Sequence, residues 1–408
     1  MKKTINIRIV CFVLSLLLVI SGAVVFAQNE ENLKENFVND KKVVNAAKYG
    51  VKGDGVTDDT QALQRALLAA YQGYKTLYLP QGTYKVSDTL MLDSSDGMFV
   101  KIYGDGKDKT VIEADSSMDG SIISSGMRSG FMLENLTIKH NGTGKCVDSI
   151  YLNALHCSFI SNSKNDDDVV SFAGSNCRIT ECNFYSDNPQ AYLLRYSYKS
   201  TIAINSYIID NTISGKSKGI IVDSQANSRV EGLKISGNIF TNTGTEQIRM
   251  ETILHCDISE NKMSGSSGSA IVIVPEGLMV HGLFVCRNNI QAANACIYEA
   301  PLLKGSTDIH ISENILKDSD YGVSMNSTLG LLVIDNNQLS GMKCAGIEFS
   351  EIQQAIVCNN KIEVMQNAES ISIYATGSKI IITGNTINKD MDLHTDNCVQ
   401  VVENNKIL

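Results

Sequence analysis

Hydrophobic and polar residues alternate with a period of two along most of the chain after residue 135. The alternation is clear in segments such as KGIIVDS, EQIRMET, SAIVIVP, YGVSMNS and AGIEFSE. Successive side chains of a β-strand point to opposite faces, so this pattern predicts many short strands with one buried side. We predict these inward residues: Ile220, Val222, Ile248, Met250, Ile271, Ile273, Val323, Met325, Ile347 and Phe349.

A short motif recurs through the same region, in which an alternating apolar pair is followed by Asn and then by an apolar residue. A period of about two dozen residues is typical of a solenoid, in which each coil contacts only its neighbours. Asn suits a bend because it tolerates positive φ, and stacked Asn side chains can bond to one another. We place the motif at Asn135, Ser158 (in place of Asn), Asn183, Asn211, Asn238, Asn261, Asn289, Asn314, Asn337, Asn360, Asn385 and Asn405.

Two solenoid folds fit this spacing. A leucine-rich repeat matches well at residues 329–339 and 230–240, but that fold requires a helix or a 3₁₀ turn in the second half of each repeat. The second halves here alternate with period two and predict strands instead. The pattern therefore favours a β-helix, an all-β fold with a strand on either side of each Asn and a third strand later in the coil.

The amino-terminal part begins differently. Thr57-Asp58-Asp59-Thr60 is a helix start signal, and apolar residues at helical spacing follow as far as Ala70. The segments TLYLP and TYKVS then predict two strands joined by a turn. Gly53-Asp54-Gly55 lacks the surroundings of a phosphate loop and the acid spacing of a calcium loop, so we interpret it as a turn packed under the helix.

Residues 43–113 resemble the pectate lyase superfamily, in the branch shared by rhamnogalacturonase-like and epimerase-like proteins. The resemblance implies a right-handed parallel β-helix with a short amino-terminal capping helix, and we expect one such domain over residues 43–408, with the cap and first coils in 43–113 and the repeat coils in 114–408. The matching pieces are Tyr49-Gly50, Gly53-Asp54-Gly55, Thr57-Asp58-Asp59, Leu79-Pro80, Gly82-Thr83-Tyr84 and Gly104-Asp105-Gly106.

Residues 1–27 have a basic start, an apolar run and small residues before Gln28, which is the pattern of a cleaved signal peptide. A retained membrane anchor is the alternative, but the run is short for a span of about 20 residues. We expect cleavage after Ala27, a linker over 28–42, and a secreted or cell-envelope protein. The net charge of −9 and the pI near 5.3 argue against nucleic acid or an anionic membrane as partner.

Ten of the 11 cysteines remain after removal of the signal peptide. No CxxC pair and no His partner at zinc spacing is present, so most are expected to be small buried apolar residues. Export permits one or two disulfides, and Cys157 with Cys182 is the first pair to test.

The outward positions of one strand in each coil predict a groove able to hold an extended polymer. Counting from each Asn places Asp223 and Glu251 in one column on adjacent coils, with Arg249 beside Glu251. Such carboxylates serve as general acid and base in hydrolysis, or hold Ca²⁺ while a basic residue abstracts a proton for β-elimination. A surface salt-bridge ladder is the alternative. We assign Arg195, Asp223, Arg249 and Glu251 as catalytic candidates and Tyr298 and Glu348 as substrate-binding candidates.

A second acidic segment precedes a strand at Asp166, Asp167 and Asp168. It looks like the Asp-Asp-strand-Gly-Ser motif of polygalacturonases, but the Asn-Thr-Asp, Gly-His-Gly and Arg-Ile-Lys motifs of that family are missing. The Tyr-Gly-x-Asp-Pro-His signature of mannuronan epimerases is missing too, so neither mechanism is carried over. We treat the three residues as substrate-binding candidates, with a solvated loop as the alternative.

These features predict a lyase or glycoside hydrolase that acts on an acidic or pectin-like polysaccharide, with Ca²⁺ as the one cofactor considered. A non-catalytic carbohydrate-binding or surface-adhesion protein of the same fold is the alternative, because fold does not fix function. The last coil at NNKIL shows no cap, so we also expect self-association through an exposed strand edge.

Overall fold

The computed structural model describes residues 41–93, 97–198, 202–224, 229–275, 280–301, 305–376, 378–396 and 398–408. The predicted signal peptide over 1–27 and most of the linker lie outside these ranges. None of the helices within them is both long enough and apolar enough to span a bilayer.

The chain forms a right-handed parallel β-helix of about 12 coils, and each coil contributes strands to three parallel sheets. Sheet A precedes the bend and contains Val43–Asn45, Thr76–Leu79, Phe99–Gly104, Gly130–Glu134, Tyr151–Leu155, Arg178–Thr180, Ile202–Ile204, Tyr207–Ile209, Arg229–Glu231, Lys234–Ser236, Ile253–Ser259, Val280–Cys286, Thr307–Ser312, Leu331–Asp335, Gln354–Cys358, Lys379–Thr383 and Val399–Glu403. Sheet B follows the bend and contains Asp54–Asp58, Gly82–Val86, Thr110–Ala114, Thr137–His140, Ser158–Ser161, Asn183–Ser186, Thr212–Gly215, Ile239–Phe240, Lys262–Ser266, Asn289–Ala292, Ile315–Lys317, Gln338–Met342, Lys361–Val364, Thr386–Ile387 and Lys406–Ile407. Sheet C completes the coil and contains Leu90–Leu92, Ile123–Ser125, Val147–Ser149, Val170–Phe172, Tyr192–Tyr198, Lys218–Ser224, Glu246–Met250, Ser269–Ile273, Ala295–Glu299, Tyr321–Met325, Ala345–Ser350, Glu369–Thr376 and Met391–Asp396.

The core is a set of apolar columns that run along the axis of the rod. All ten residues predicted to face inward are buried, and register partners on successive coils repeat the same face. Aromatic rings stack within these columns, with centroids 5.2 Å apart for Phe159 and Phe184 and 4.4 Å apart for Phe172 and Tyr196. The second halves of the repeats form strands of sheet C, so the β-helix prediction is confirmed over the leucine-rich repeat.

Asn side chains form a hydrogen-bonded ladder at the bend between sheets A and B. Asn261 is representative, because both its backbone N–H and its Nδ2 donate to Asn288 Oδ1, at 2.9 and 3.0 Å. The ladder contains Asn211, Asn238, Asn261, Asn288, Asn314, Asn337, Asn360, Asn385 and Asn405.

The predicted register of this ladder is wrong in four coils. Asn135, Ser158, Asn183 and Asn289 each lie one residue away from the ladder position, which is occupied by Leu136, Cys157, Cys182 and Asn288. The proposed role of positive φ is confirmed at Asn135 and wrong at the other motif positions, since the left-handed conformation falls on the residue before the ladder position. Those residues are Asn135, His156, Glu181, Asp210, Gly237, Glu260, Arg287, Glu313, Asn336, Asn359, Gly384 and Asn404.

A 3₁₀ helix, Ala46–Tyr49, and one α-helix, Thr60–Gln72, lie at the amino-terminal end. The α-helix buries its apolar side, including Leu63 and Leu67, against the first strands of sheets A and C. Asp59 stands at its start, and its carboxylate accepts from the backbone N–H groups of Lys52 and Gly53 at 2.6 and 2.8 Å. Gly53 is therefore tied to the helix start, but Asp54 and Gly55 belong to the strand Asp54–Asp58, so the turn prediction is wrong for these two residues. The role of the helix as a cap stays a prediction.

The ten described cysteines are free thiols, and six of them are buried. Cys157 and Cys182 are neighbours on consecutive coils, and the backbone N–H of Cys157 donates to the Cys182 sulfur at 3.4 Å. These two thiols therefore occupy the ladder positions that Asn fills farther along the chain.

Candidate functional site

A groove of about 520 Å³ lies on the outward face of sheet C, across the five strands from Ile123–Ser125 to Lys218–Ser224. It combines charged, hydroxyl and aromatic side chains, as expected of a site for a polar ligand. Its lining residues are Ser124, Ser125, Met127, Lys145, Asp148, Ser149, Ile150, Tyr151, Asp168, Ser171, Phe172, Ala173, Arg195, Ser197 and Asp223.

The period-two alternation of the strands places these side chains in the groove. Ser124, Asp148, Ser171 and Arg195 are register partners on four consecutive strands and form one outward column. The residues that precede them along each strand, Ile123, Val147, Val170 and Leu194, are buried in the apolar core. Residues about two dozen positions apart in the sequence thus become neighbours roughly 4.8 Å apart.

Arg195 lies half-buried between two carboxylates of neighbouring coils. Its Nε donates to Asp168 Oδ2 at 2.5 Å, and its Nη1 donates to Asp223 Oδ2. Burial opposes the charge, but the bonds to both carboxylates outweigh burial and raise the pKa of Arg195 above its ordinary value. The guanidinium therefore stays charged and holds both carboxylates in fixed orientations.

Two polar atoms of this groove are buried without a hydrogen-bond partner. They are the second carboxylate oxygen of Asp223, Oδ1, and the hydroxyl oxygen of Ser171. An unpaired buried polar atom costs about 1–3 kcal/mol, so such atoms are normally paired. Both atoms belong to residues that line the groove, where a bound ligand can supply the missing partner.

A second cluster of charges adjoins the groove on the next strand. Arg249 Nε donates to Glu251 Oε1 at 2.6 Å, and Arg249 Nη1 lies 3.5 Å from Glu246 Oε2. The hydroxyl of Tyr192 donates to Glu246, and burial together with this carboxylate raises the pKa of Tyr192 above its ordinary value. Arg249 and Glu251 therefore lie on the predicted face, but they bind each other and do not line the groove.

The structure brings some predicted residues together and separates others. Arg195, Asp223 and Asp168 meet in one ion-pair network, although Asp168 was assigned to a different candidate site. Tyr298 and Glu348 lie on the same outward column as Arg249 but two and four strands beyond it.

Asp166 and Asp167 are outside the groove. They lie in the loop before the strand Val170–Phe172, where Asp166 is exposed and Asp167 is partly buried, and neither lines the groove. Their assignment to substrate binding is therefore not supported by the geometry.

The sequence analysis missed Lys145 and Asp148. Asp148 lies outward between Val147 and Ser149, and its carboxylate is 3.4 Å from Lys145 Nζ. The carboxylate is about half exposed, which makes it the most accessible acid among those that line the groove. The period-two pattern of Val-Asp-Ser was the available signal, but the count from the Asn motif was displaced in these coils.

The carboxylates of the groove do not fit a protein-bound Ca²⁺. In the described ranges, no group of three or more His, Cys, Asp or Glu side chains is arranged to hold a metal ion. Arg195 occupies the space between Asp168 and Asp223, where a cation would otherwise bind. We therefore derive no chemical step through a metal.

The structure defines a parallel β-helix with a groove on the outward face of one sheet, and comparison with known families agrees with this fold. Residues 43–268, more than half of the chain, match the family described as "Rhamnogalacturonase A/epimerase, pectate lyase-like". The chain belongs to this family, which confirms the resemblance seen in residues 43–113.

Relatives of known function share only part of this chain. Mannuronan C5-epimerase AlgE1 of Azotobacter vinelandii is 31% identical over 206 residues, which cover 46% of this chain and 14% of that protein. Alginate lyase 7 of the same organism is 29% identical over 225 residues, covering 52% of this chain and 24% of that protein. The chain thus matches less than a quarter of the length of these relatives.

Two solved structures align with this chain at low identity. The A-module of mannuronan C-5 epimerase AlgE4 from Azotobacter vinelandii has a TM-score of 0.37 and 17% identity, covering 89% of this chain and 99% of that chain. The N-terminal fragment of bacteriophage phi29 gene product 12 has a TM-score of 0.49 and 13% identity, covering 92% and 73%.

Proposed function

We propose that this chain is an enzyme that acts on an acidic polysaccharide in the groove of sheet C, by β-elimination beside a uronate carboxylate. The observation that carries the proposal is the outward column of Asp148, Ser171 and Arg195, in which an accessible carboxylate stands near a charged guanidinium and an unpartnered hydroxyl. The relatives named mannuronan epimerase and alginate lyase support a uronate polymer as the substrate class.

The chemistry requires one base and one cation close to the sugar carboxylate. Asp148 takes the proton from the carbon that bears the carboxylate, while Lys145 offsets the negative charge that develops on it. The electron pair released forms a double bond to the neighbouring ring carbon, and the bond from that carbon to the glycosidic oxygen breaks. The leaving oxygen takes a proton from water, and the protonated Asp148 returns its own proton to water, so the product has one unsaturated end.

Hydrolysis is the first competing mechanism, and the contacts of the two buried acids argue against it. A glycoside hydrolase needs one protonated carboxyl group and one free carboxylate on opposite sides of the bond. Asp168 and Asp223 instead bind the same guanidinium of Arg195. Neither acid is therefore free to serve as the proton donor.

A non-catalytic binding protein is the second alternative. The charge balance of the groove favours it, because a groove with a net negative charge is poorly suited to neutralise a uronate during elimination. Lys145 and Arg195 face Asp148, Asp168 and Asp223, so these five groups sum to one net negative charge. An acidic polymer then depends on Lys145 or on a bridging cation for its binding. Turnover and binding measured with and without added Ca²⁺ distinguish these two routes.

The decisive experiment incubates the purified protein with alginate and polygalacturonate. Ultraviolet absorbance reports unsaturated ends, a reducing-end assay reports any cleavage, and deuterium uptake from heavy water reports proton abstraction without cleavage. We expect Asp148→Asn to lower turnover by about 100-fold or more, because general-base catalysis contributes at least that much. Asp320→Asn is the matched control, since Asp320 forms a similar exposed pair with Lys343 at 3.1 Å outside the groove.

The possible results separate the three functions. Reducing ends without new absorbance indicate a hydrolase and contradict the elimination step. Binding of the polymer with no product and no deuterium uptake supports the non-catalytic alternative. Equal turnover in Asp148→Asn and the native protein removes Asp148 from the chemistry. Export, cleavage after Ala27 and self-association through the last coil remain separate proposals.

A further inference from the structure

A second cavity, of about 590 Å³, lies on the outward face of sheet C near its last strands. We call it the distal cavity, and its main lining residues are Ser350, Glu351, Gln353, Tyr374, His394 and Asp396. Seven coil steps separate the strand of Tyr374 from the strand of Arg195, so the distal cavity is roughly 34 Å from the groove. It is therefore a separate site.

A stacked aromatic pair forms one wall of the distal cavity. Tyr374 and His394 are register partners on adjacent strands, and their rings lie 4.8 Å apart between centroids with an angle of 12° between the planes. The register partner of Tyr374 on the other side is Ser350, a small residue whose hydroxyl donates to Asn326. His394 thus covers one face of the tyrosine ring, and the strand on the other side presents only the small Ser350 at this position. Tyr374 is 47% exposed.

Asp392 holds both rings in place. Its carboxylate accepts from the Tyr374 hydroxyl at 3.2 Å and lies 3.0 Å from His394 Nε2. Two exposed rings that are fixed from one side lose little conformational freedom when a ligand binds, which reduces the entropic cost of binding. The aromatic wall is therefore preorganised for a flat apolar surface.

The polar groups of the distal cavity determine which ligand fits. Glu351 and Asp396 supply carboxylates, and none of the described residues that line the cavity is Lys or Arg. Carboxylates accept hydrogen bonds from hydroxyl groups but repel a uronate. A sugar ring has an apolar C–H face that can pack on tyrosine and hydroxyl groups at its edge that carboxylates can bind. We propose that the distal cavity binds a neutral sugar ring, independently of the acidic polymer proposed for the groove.

The test measures binding of three probes by calorimetry: β-1,4-linked glucose oligosaccharides, β-1,4-linked mannose oligosaccharides and an oligouronate. We expect the native protein to bind a neutral probe, and Tyr374→Ala to weaken that binding by about ten-fold or more, as for other buried aromatic contacts. Tyr185→Ala is the matched control, because Tyr185 is similarly exposed and donates to Asp187 at 2.8 Å but lies on sheet B. His394→Ala is a second, milder variant, since that ring is largely exposed.

The outcomes also distinguish this proposal from the function proposed for the groove. Weaker neutral binding in Tyr374→Ala, with oligouronate binding unchanged, supports the distal site. Unchanged neutral binding in both Tyr374→Ala and His394→Ala overturns it, as does the absence of neutral binding by the native protein. A loss of oligouronate binding alone in Tyr374→Ala overturns the assignment to neutral sugars, whereas Asp148→Asn reports only on the groove.

Discussion

Substitution of Asn288 gives the most direct test of the register of the Asn ladder at the bend between sheets A and B. Its Oδ1 accepts from the backbone N–H and Nδ2 of Asn261, at 2.9 and 3.0 Å. Its Nδ2 donates to the carbonyl of Ile258 at 2.8 Å and to Asn314 Oδ1 at 3.0 Å. Asn289, the next residue, is exposed and points away from the ladder.

Asn288→Ala removes these four bonds and a fifth, from Nδ2 to the carbonyl of Cys286 at 3.2 Å, and it takes from the buried backbone N–H of Asn261 its acceptor. Each net hydrogen bond contributes roughly 1 kcal/mol, and each buried group left unpaired costs about 1–3 kcal/mol. We therefore expect the substitution to lower the free energy of unfolding by about 4 kcal/mol. Asn289→Ala keeps every ladder bond and is expected to change it by less than about 0.5 kcal/mol.

The assay compares the urea midpoints of the two variants with that of the native protein and adds amide hydrogen exchange. Because repeat proteins can unfold coil by coil, exchange shows whether the loss is centred on the coils next to Asn288. Faster exchange at the backbone N–H of Asn261 is expected in Asn288→Ala only. Equal destabilisation by Asn288→Ala and Asn289→Ala would refute the register described for the bend.

Two further predictions concern buried or paired glutamates. Burial raises the pKa of Glu113, but bonds from Lys85 and Lys139 at 2.9 and 3.0 Å outweigh burial, so the pKa falls from 4.5 to about 2. The resulting contribution to the free energy of unfolding, at most about 3 kcal/mol, is present above pH 4.5 and is lost as the pH falls toward 2. Glu113→Gln should flatten the plot of unfolding free energy against pH in this range. An unchanged plot would contradict the proposed role of Glu113. Glu299 is fully buried and accepts hydrogen bonds from five donors of the adjoining loops. Glu299→Gln should therefore lower the free energy of unfolding, measured by thermal melt, by about 2 kcal/mol. Glu363→Gln, at a half-exposed glutamate, is the control for both predictions.

The sequence was sufficient for the fold because the buried columns repeat with two independent periods. Alternation within each strand identified residues such as Ile248 and Met250 as inward, and the spacing of the Asn motif aligned one coil with the next. These two periods also predict that Arg195 and Asp223 lie on the same outward face. The pattern does not predict contacts between side chains, since no periodicity shows that Arg195 binds Asp168 or that Arg249 binds Glu251.

Three of the four errors in register and the missed groove residues have a common physical cause, and the exception is the coil of Asn289, where Asn288 holds the ladder position. The coils that carry Asp148, Ser171 and Arg195 are those whose bend positions hold Leu136, Cys157 and Cys182 instead of Asn. Without the Asn signal, the motif aligns on Ser158 and Asn183, one residue after the true bend positions. A shift of one residue exchanges the inward and outward faces of a strand.

The coils before Asn211 and the coils from Asn211 onward also differ in the hydrogen bonds that hold their bends. From Asn211 onward, each bend is fixed by amide bonds near 2.9 Å, whereas sulfur, a weak acceptor, takes that place at 3.4 Å between Cys157 and Cys182. Local rules are most often broken where a protein carries its function. Asp148, Ser171 and Arg195 all lie in coils whose bends lack the ladder Asn, which is therefore an independent reason to place the chemistry in the groove and not on the regular coils beyond it.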